Sequence, residues 1–181
     1  LTQLAPGKKL GAFSLSEPQS GSDASNMLTK AIKKGDYYEI SGTKNWVTNG
    51  LNSDYVIVFA ITEEGVGHKG ISCFIVEKGY EGFDVGKPED KLGIRSSDTT
   101  ELYFDRVKVP LENLIGQEGE GFKIALSTLD GGRIGIASQA LGIAQAALDH
   151  SISYSKERMQ FGKPISSNQG IQNKLANMAI E

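Results

Sequence analysis

Two short polar segments near the start of the chain contain the residue types that could hold a planar cofactor. The first, Leu15–Asp23, includes Pro18, which stops a helix, and Gly21, where the backbone can approach a ligand without a Cβ in the way. Its hydroxyls and carboxylate can hydrogen-bond a polar ligand together with the main chain. The second, Lys44–Gly50, offers the flat face of Trp46 beside polar side chains. An aromatic plate beside hydroxyls suits a planar heteroaromatic cofactor.

Either segment alone would have an ordinary explanation. A serine-rich stretch is typical of a turn, and a single tryptophan is typical of a protein core. The balance changes because two further segments follow, namely Asp130–Gln145, and Arg158–Lys163 with Gln169 behind it. In this order the four segments resemble the acyl-CoA dehydrogenase family, and the residue choices are nearest to its short-chain, butyryl-type branch. The resemblance runs from about Gly11 to Glu181.

The resemblance implies a flavoprotein that oxidises acyl-CoA thioesters at the α and β carbons, with FAD as its cofactor. The protein's share of such chemistry is to hold the flavin and tune it by hydrogen bonds. The positions that match the family's cofactor contacts are Phe13, Ser16, Ser22, Trp46, Val47, Thr48, Arg158, Phe161 and Gln169. The last three match contacts made from a neighbouring subunit, where Arg158 could pair with the pyrophosphate.

The same resemblance implies a binding site for the acyl-CoA substrate. The matching positions are Ser22, Asp130, Gly131, Gly132 and Arg133. A cation near the start of a helix is unfavourable relative to the helix dipole, which favours a functional role for Arg133. A surface salt bridge is the alternative explanation.

The family's reaction also needs a base, and the sequence offers no candidate for it. The resemblance implies that a glutamate removes the α-proton while a hydride leaves the β carbon for the flavin. Most branches carry this glutamate in a C-terminal segment that this chain lacks, and others carry it immediately before the arginine matched by Arg133. Gly132 stands at that position, and glycine cannot accept a proton. We therefore expect no catalytic residue within the chain.

Charge and composition exclude several other classes of protein. A net charge of −3 over 181 residues, with both signs scattered, gives no electrostatic footprint for nucleic acid or an anionic membrane. No apolar run approaches the ~20 residues that span a bilayer. The two histidines have no Cys or His neighbours, so we expect no metal site. The single Cys73 indicates a reducing compartment, the cytoplasm or, in a eukaryote, the mitochondrial matrix.

The spacing of apolar residues predicts an α+β fold. We expect residues 1–115 to form an antiparallel β-barrel or sandwich, and residues 116–181 to form the start of an incomplete helical bundle. The predicted strands are Tyr37–Ser41, Asp54–Thr62, Gly70–Glu77, Phe83–Val85 and Thr99–Phe104, with hairpin turns at Gly35-Asp36 and Glu64-Gly65. Between the two domains, Gly116–Gly121 lacks the glycine spacing of a phosphate-binding loop, which predicts a structural junction.

Helical spacing begins at Phe122, and a second helix is predicted from about Asn168 to the end. Small and apolar residues recur at three- and four-residue steps along the first helix, at Ala137, Ala140, Leu141, Ala144, Leu148 and Ile152. Such a stripe is typical of a close-packed bundle, yet most of the partner helices are missing. An uncovered apolar face predicts a homo-oligomer, a dimer or a tetramer.

The leading interpretation is a piece of a longer FAD-dependent acyl-CoA dehydrogenase that passes its electrons to an electron-transfer flavoprotein. The chain begins at Leu1 and ends at Glu181 within a helical pattern, which favours this view. Two alternatives stay open. One is a non-catalytic module that binds flavin or acyl-CoA, and the other is a β-domain interaction protein that binds neither.

Overall fold

The computed structural model describes residues 2–181 and has the predicted α+β class. The chain divides into two compact units between Ser127 and Thr128. The first unit is a sheet domain and the second is helical. The predicted domain boundary between residues 115 and 116 stays a prediction.

The first unit contains one eight-stranded sheet. Its strands are β1 (Gly11–Ser14), β2 (Lys30–Lys34), β3 (Tyr37–Thr48), β4 (Tyr55–Ile61), β5 (Ile71–Glu77), β6 (Phe83–Val85), β7 (Thr99–Pro110) and β8 (Leu114–Ile115). The strand order is β6-β7-β3-β2-β4-β5-β8, with β1 also paired to β4. Short 3-10 helices lie at Ala24–Asn26, Gly67–Gly70 and Leu111–Asn113.

The sheet is mixed and open, which corrects the prediction of an antiparallel barrel or sandwich. β1 runs parallel to β4, with Gly11 opposite Tyr55, and β2 meets the same edge of β4 in parallel at Ile61. The physical reason is the connection: the β2–β3 hairpin lies between β1 and β4 in sequence, so no tight turn forces these two strands to be antiparallel. The strand order does not close on itself.

All five predicted strands are present, and two of them are longer than expected. β3 continues past Ser41 to Thr48, and β7 continues past Phe104 to Pro110. The Gly35-Asp36 turn is confirmed as a two-residue hairpin between β2 and β3. The predicted tight turn at Glu64-Gly65 is wrong, because β4 and β5 are joined by a longer loop that includes a 3-10 helix.

The sheet buries apolar side chains on both faces at its centre. In β4, Val56, Val58 and Ala60 belong to one core cluster, whereas Phe59 belongs to the other. This alternation follows from the two-residue period of a strand. Cys73 of β5 lies in the second cluster and is fully buried. The first turns of the long helix pack on this cluster through Ala125.

The glycines of the predicted junction allow the chain to approach β5 closely. The Gly119 N–H donates a hydrogen bond of 2.9 Å to the Ser72 hydroxyl. A Cβ placed on Gly121 would lie 2.5 Å from the Ser72 carbonyl carbon, which no packing could accommodate without movement. These contacts give Gly119 and Gly121 the structural role predicted from the sequence.

The helical part consists of α1 (Gly121–Glu157) and α2 (Gln169–Ile180). Between them lie a small antiparallel hairpin, β9 (Met159–Gln160) with β10 (Lys163–Pro164), and a 3-10 helix at Ile165–Ser167. Both helices start within one residue of their predicted positions. Most of the predicted stripe on α1 is exposed, including Ala137, Ala140, Leu141 and Ala144, whereas Leu148 is half-buried. Among residues 2–181, no helix is long and apolar enough to cross a membrane.

Candidate functional site

A β-bulge in β3 displays Trp46 on the surface of the first unit. The pairing register between β3 and β7 shifts between Lys44 and Val47, so that β3 carries one extra residue at this point. Trp46 adopts a left-handed backbone with φ of 58° and is 63% exposed. A bulky residue in this conformation is strained, and such strain concentrates at functional sites.

The sequence produces this bulge because two residues of opposite strand parity must both point inward. Lys44 and Val47 are three residues apart, so a regular strand would place them on opposite faces. Both are nevertheless buried, at 0% and 1% exposure. The extra residue resolves the conflict and leaves Trp46 facing solvent. The core-aromatic explanation of Trp46 is therefore wrong.

The two polar segments singled out in the sequence meet at this bulge. The Asn45 N–H, which the shifted register leaves outside the β7 ladder, donates 2.9 Å to the Ser16 carbonyl. Ser16 follows β1, where half-buried Phe13 packs edge-on against Phe59 with ring centroids 5.1 Å apart. Phe13, Ser16 and Trp46 thus belong to one region of the sheet.

The end of β3 is held by the opposite loop. Thr48 pairs with Thr99 and keeps its side chain exposed. Beyond it, Asp98 accepts hydrogen bonds from the Leu51 N–H at 2.8 Å and from the Asn52 amide at 2.9 Å. These bonds fix the strand end next to Trp46.

Sequence reasoning missed a buried ion pair beneath the bulge. Glu17 and Lys44 are 2.8 Å apart, and their side chains are 2% and 0% exposed. Glu17 also accepts hydrogen bonds from the Leu28 N–H at 2.6 Å and the Thr29 N–H at 3.1 Å. Lys44 donates a further bond of 3.2 Å to the Leu15 carbonyl. The only sequence signal was the position of these two charges, each next to a predicted site residue.

The surroundings keep both members of this pair charged at neutral pH. Burial alone would raise the pKa of Glu17, but the charge and hydrogen bond of Lys44 outweigh it and hold that pKa below its ordinary value. Burial lowers the pKa of Lys44, and Glu17 opposes this shift. A group in this network is therefore ionised because of its partner and not because of solvent.

Ser22 lies exposed in the loop that follows Ser16. The loop is tied locally, since the Ser20 hydroxyl donates 2.8 Å to the Asp23 carbonyl, and Glu17 and Ser20 form a backbone bridge. The structure thus leaves the Ser22 hydroxyl accessible to a ligand.

The remaining predicted residues belong to the second unit. Arg133 pairs with Asp130 at 2.7 Å, and both side chains are largely exposed. Gly131 and Gly132 face open space. A shallow groove of about 580 Å³ on this part of α1 is lined by Leu129, Gly132, Arg133, Ile136, Ala137 and Ala140.

Three further predicted residues, matched to contacts from a neighbouring subunit, surround the β9–β10 hairpin. Arg158 lies just before it and its carbonyl accepts from the Ile165 N–H at 2.9 Å. Phe161, at the hairpin turn, has a left-handed backbone and is 87% exposed. Gln169 is the exposed first residue of α2.

The two acidic residues of the junction are engaged in structural contacts. Glu118 accepts hydrogen bonds from the Tyr38 hydroxyl and, at 3.0 Å, from Lys33. Glu120 accepts 2.9 Å from the Gln117 N–H. Within residues 2–181, no group of three or more His, Cys, Asp or Glu side chains is arranged to hold a metal ion.

Comparison with known proteins identifies the origin of this arrangement. The model of the acyl-CoA dehydrogenase middle domain matches residues 12–107, and the model of the C-terminal domain matches residues 119–181. Among curated proteins, an acryloyl-CoA reductase (NADH) of Anaerotignum propionicum is 50% identical over all of this chain and 46% of its own length.

Solved structures agree with the family models. The butyryl-CoA dehydrogenase of Megasphaera elsdenii is 55% identical with a TM-score of 0.92, over 99% of this chain and 47% of that one. A chain from the structure of the electron transferring flavoprotein of Acidaminococcus fermentans is 54% identical with a TM-score of 0.93, again over 99% and 47%. The chain thus spans about half the length of these relatives, and it belongs to the acyl-CoA dehydrogenase family.

Proposed function

We propose that this chain is part of an FAD-dependent acyl-CoA dehydrogenase that converts short-chain acyl-CoA thioesters to trans-2-enoyl-CoA. The observation that carries the proposal is the strained, exposed Trp46 beside the Ser16 loop, in a chain of this family. The butyryl-CoA dehydrogenase of Megasphaera elsdenii supports the short-chain preference.

The residues of the first unit fit a flavin. Trp46 presents an aromatic face, and Ser16 and Thr48 bring hydroxyl groups to the same region. The Asn45 side-chain oxygen is buried without a hydrogen-bond partner among the described residues. An orphaned acceptor of this kind is costly unless a ligand or water supplies a donor.

A bound FAD would accept the hydride that leaves the β carbon. Trp46 would shield the ring from water, while Ser16 and Thr48 would orient it by hydrogen bonds and Phe13 would support the Ser16 loop from below. We assign Val47 to the cofactor site through its backbone, because its side chain is buried in the core. Ser22 would hydrogen-bond either the cofactor or the substrate.

The second unit would hold the substrate and the far end of the cofactor. Arg133, oriented by Asp130, would bind acyl-CoA along the α1 groove, where Gly131 and Gly132 leave room for it. Arg158, Phe161 and Gln169 would reach the FAD of a second subunit, with Arg158 on its pyrophosphate. This assignment requires a homo-oligomer, a dimer or a tetramer.

The base that removes the α-proton is proposed to lie outside this chain. Gly132 cannot accept a proton, and Glu118 is held by Tyr38 and Lys33. We propose an electron-transfer flavoprotein as the electron acceptor, supported by the Acidaminococcus fermentans structure. The expected compartment is the cytoplasm or the mitochondrial matrix.

A second candidate is the reverse reaction, reduction of a 2-enoyl-CoA. The acryloyl-CoA reductase of Anaerotignum propionicum supports it, because oxidation and reduction of the α,β bond need the same arrangement of flavin and thioester. In that case a reduced flavin would be the starting state.

Flavin absorbance of the full-length protein at about 450 nm tests these candidates. The dehydrogenase predicts bleaching by butyryl-CoA, and the reductase predicts that acryloyl-CoA restores the absorbance of reduced flavin much faster than butyryl-CoA removes it. Bound flavin that responds to neither substrate would indicate the non-catalytic module. Failure to bind FAD at all would favour the interaction protein and overturn the proposal.

A further inference from the structure

The buried pair of Glu17 and Lys44 connects the two segments of the candidate cofactor site. Glu17 directly follows Ser16, and Lys44 directly precedes Asn45 and Trp46. Their 2.8 Å contact is fully buried, with side-chain exposures of 2% and 0%. A single buried contact therefore joins the start of the loop to the base of the bulge.

The same two side chains hold both ends of the loop between β1 and β2. Lys44 binds the Leu15 carbonyl at its beginning, and Glu17 binds the N–H groups of Leu28 and Thr29 at its end. Gln19 adds a hydrogen bond of 2.7 Å to Glu17. Every one of these bonds requires a charge in a fixed place inside the protein.

Stability alone does not account for such a pair. Removing two charges from water is costly, and well-packed apolar side chains of similar volume are often at least as stable. What a buried charged network provides instead is one defined geometry, since its partners must be matched in position. The geometry fixed here is that of the Ser16 loop against the Trp46 bulge.

We propose that Glu17 and Lys44 are positioning residues that lock the Trp46 bulge against the Ser16 loop, and so preset the shape that meets the flavin. The flavin half of this proposal rests on the proposed function. The geometric half concerns only contacts within the chain.

The test compares two charge-free variants of the chain. Glu17→Gln/Lys44→Met removes the buried pair and keeps similar volume. Lys33→Met/Glu118→Gln removes a half-exposed pair near the other end of β3 and serves as the matched control. Hydrogen exchange of the Asn45 amide, which donates to Ser16, reports the lock directly.

The Asn45 amide should exchange at least about tenfold faster in Glu17→Gln/Lys44→Met, relative to a core amide such as Val58, and should be unchanged in the control. Lys44→Arg keeps the charge and should retain the slow exchange. If Asn45 and Val58 accelerate by the same factor, the pair only stabilises the fold and the proposal fails. Glu17→Gln/Lys44→Leu replaces the first variant if that one does not fold.

A titration with FAD tests the functional half, and Trp46 is its reporter because the chain has a single tryptophan. Loss of the pair should weaken the quenching of Trp46 by FAD about tenfold, with no change in the control. Equal FAD affinity despite faster Asn45 exchange would overturn the flavin role. If even the unaltered full-length protein binds no FAD, the proposed function fails, while the Asn45 exchange still decides the positioning role.

Discussion

Glu17 should make the first unit sensitive to acid. Its pKa is held below the ordinary value in the folded protein, mainly by Lys44, whereas in the unfolded chain it returns to about 4.3. A carboxyl with a lowered folded pKa contributes stability that is complete above the unfolded pKa and is lost as pH falls through the folded pKa. The urea midpoint should therefore fall below about pH 4.3 more steeply for the unaltered chain than for Glu17→Gln/Lys44→Met.

The single variant Glu17→Gln provides the control at neutral pH. It leaves Lys44 buried without its partner, so it should lower the free energy of unfolding by about 3–5 kcal/mol, and adding Lys44→Met should recover much of the loss. Parallel acid profiles for the unaltered chain and the double variant would show that other carboxyls dominate the acid response.

Arg133 should contribute to binding and not to stability. Its ion pair with Asp130 is largely exposed, and such pairs have little effect on folding. Arg133→Ala should leave the urea midpoint of the chain unchanged while weakening acyl-CoA binding by the full-length protein, measured by calorimetry. Unchanged acyl-CoA affinity would support the alternative explanation, a salt bridge without function.

Single residues were predictable where their type is rare and were missed where burial decides. Trp46 stood out because it is the only tryptophan and lies among polar residues. Glu17 and Lys44 did not, because charged residues in a sequence are normally expected at the surface. Only the pairing across the β1–β2 loop, which the sequence does not display, makes their burial possible.

Elements were predictable where the pattern is local. The apolar run of β4 and the helical spacing of α1 identify both elements without any knowledge of their neighbours. The second half of β3 was missed because Ser41–Asn45 has few strand-favouring residues, and pairing with β7 overrides that weak preference. The parallel partner of β1 could not be predicted either, since it depends on a contact distant in sequence.

The start of α1 is the element with the tightest fit. Gly121→Ala should destabilise the first unit by about 1–3 kcal/mol, because the new Cβ would overlap the Ser72 backbone. Urea denaturation measures the loss. Gly135→Ala, in the same helix but facing open space, is the matched control and should be neutral or stabilising by up to about 1 kcal/mol. Equal effects of the two changes would refute the close-approach argument.

At the scale of the whole molecule, the apolar face of α1 should drive self-association. Ile134, Ile136 and Leu141 are 72%, 66% and 71% exposed in the second unit. Contiguous apolar surface of this kind is rarely left open to water. Sedimentation velocity should show a concentration-dependent shift towards a dimer or tetramer, reduced by Ile134→Gln/Leu141→Gln. A single monomeric species across the micromolar range would contradict the prediction.

Cys73 turns the centre of the sheet into a measurable kinetic quantity. Burial raises the pKa of its thiol to about 12 and leaves its side chain without contact with solvent, so a thiol reagent should not label the folded chain. Labelling then has to wait for β4 and β5 to separate. Followed by mass spectrometry at low reagent concentration, the rate should track the free energy of opening, and at high concentration it should level off at the opening rate itself. Immediate labelling of the native protein would show that this strand pair opens far more readily than its burial implies.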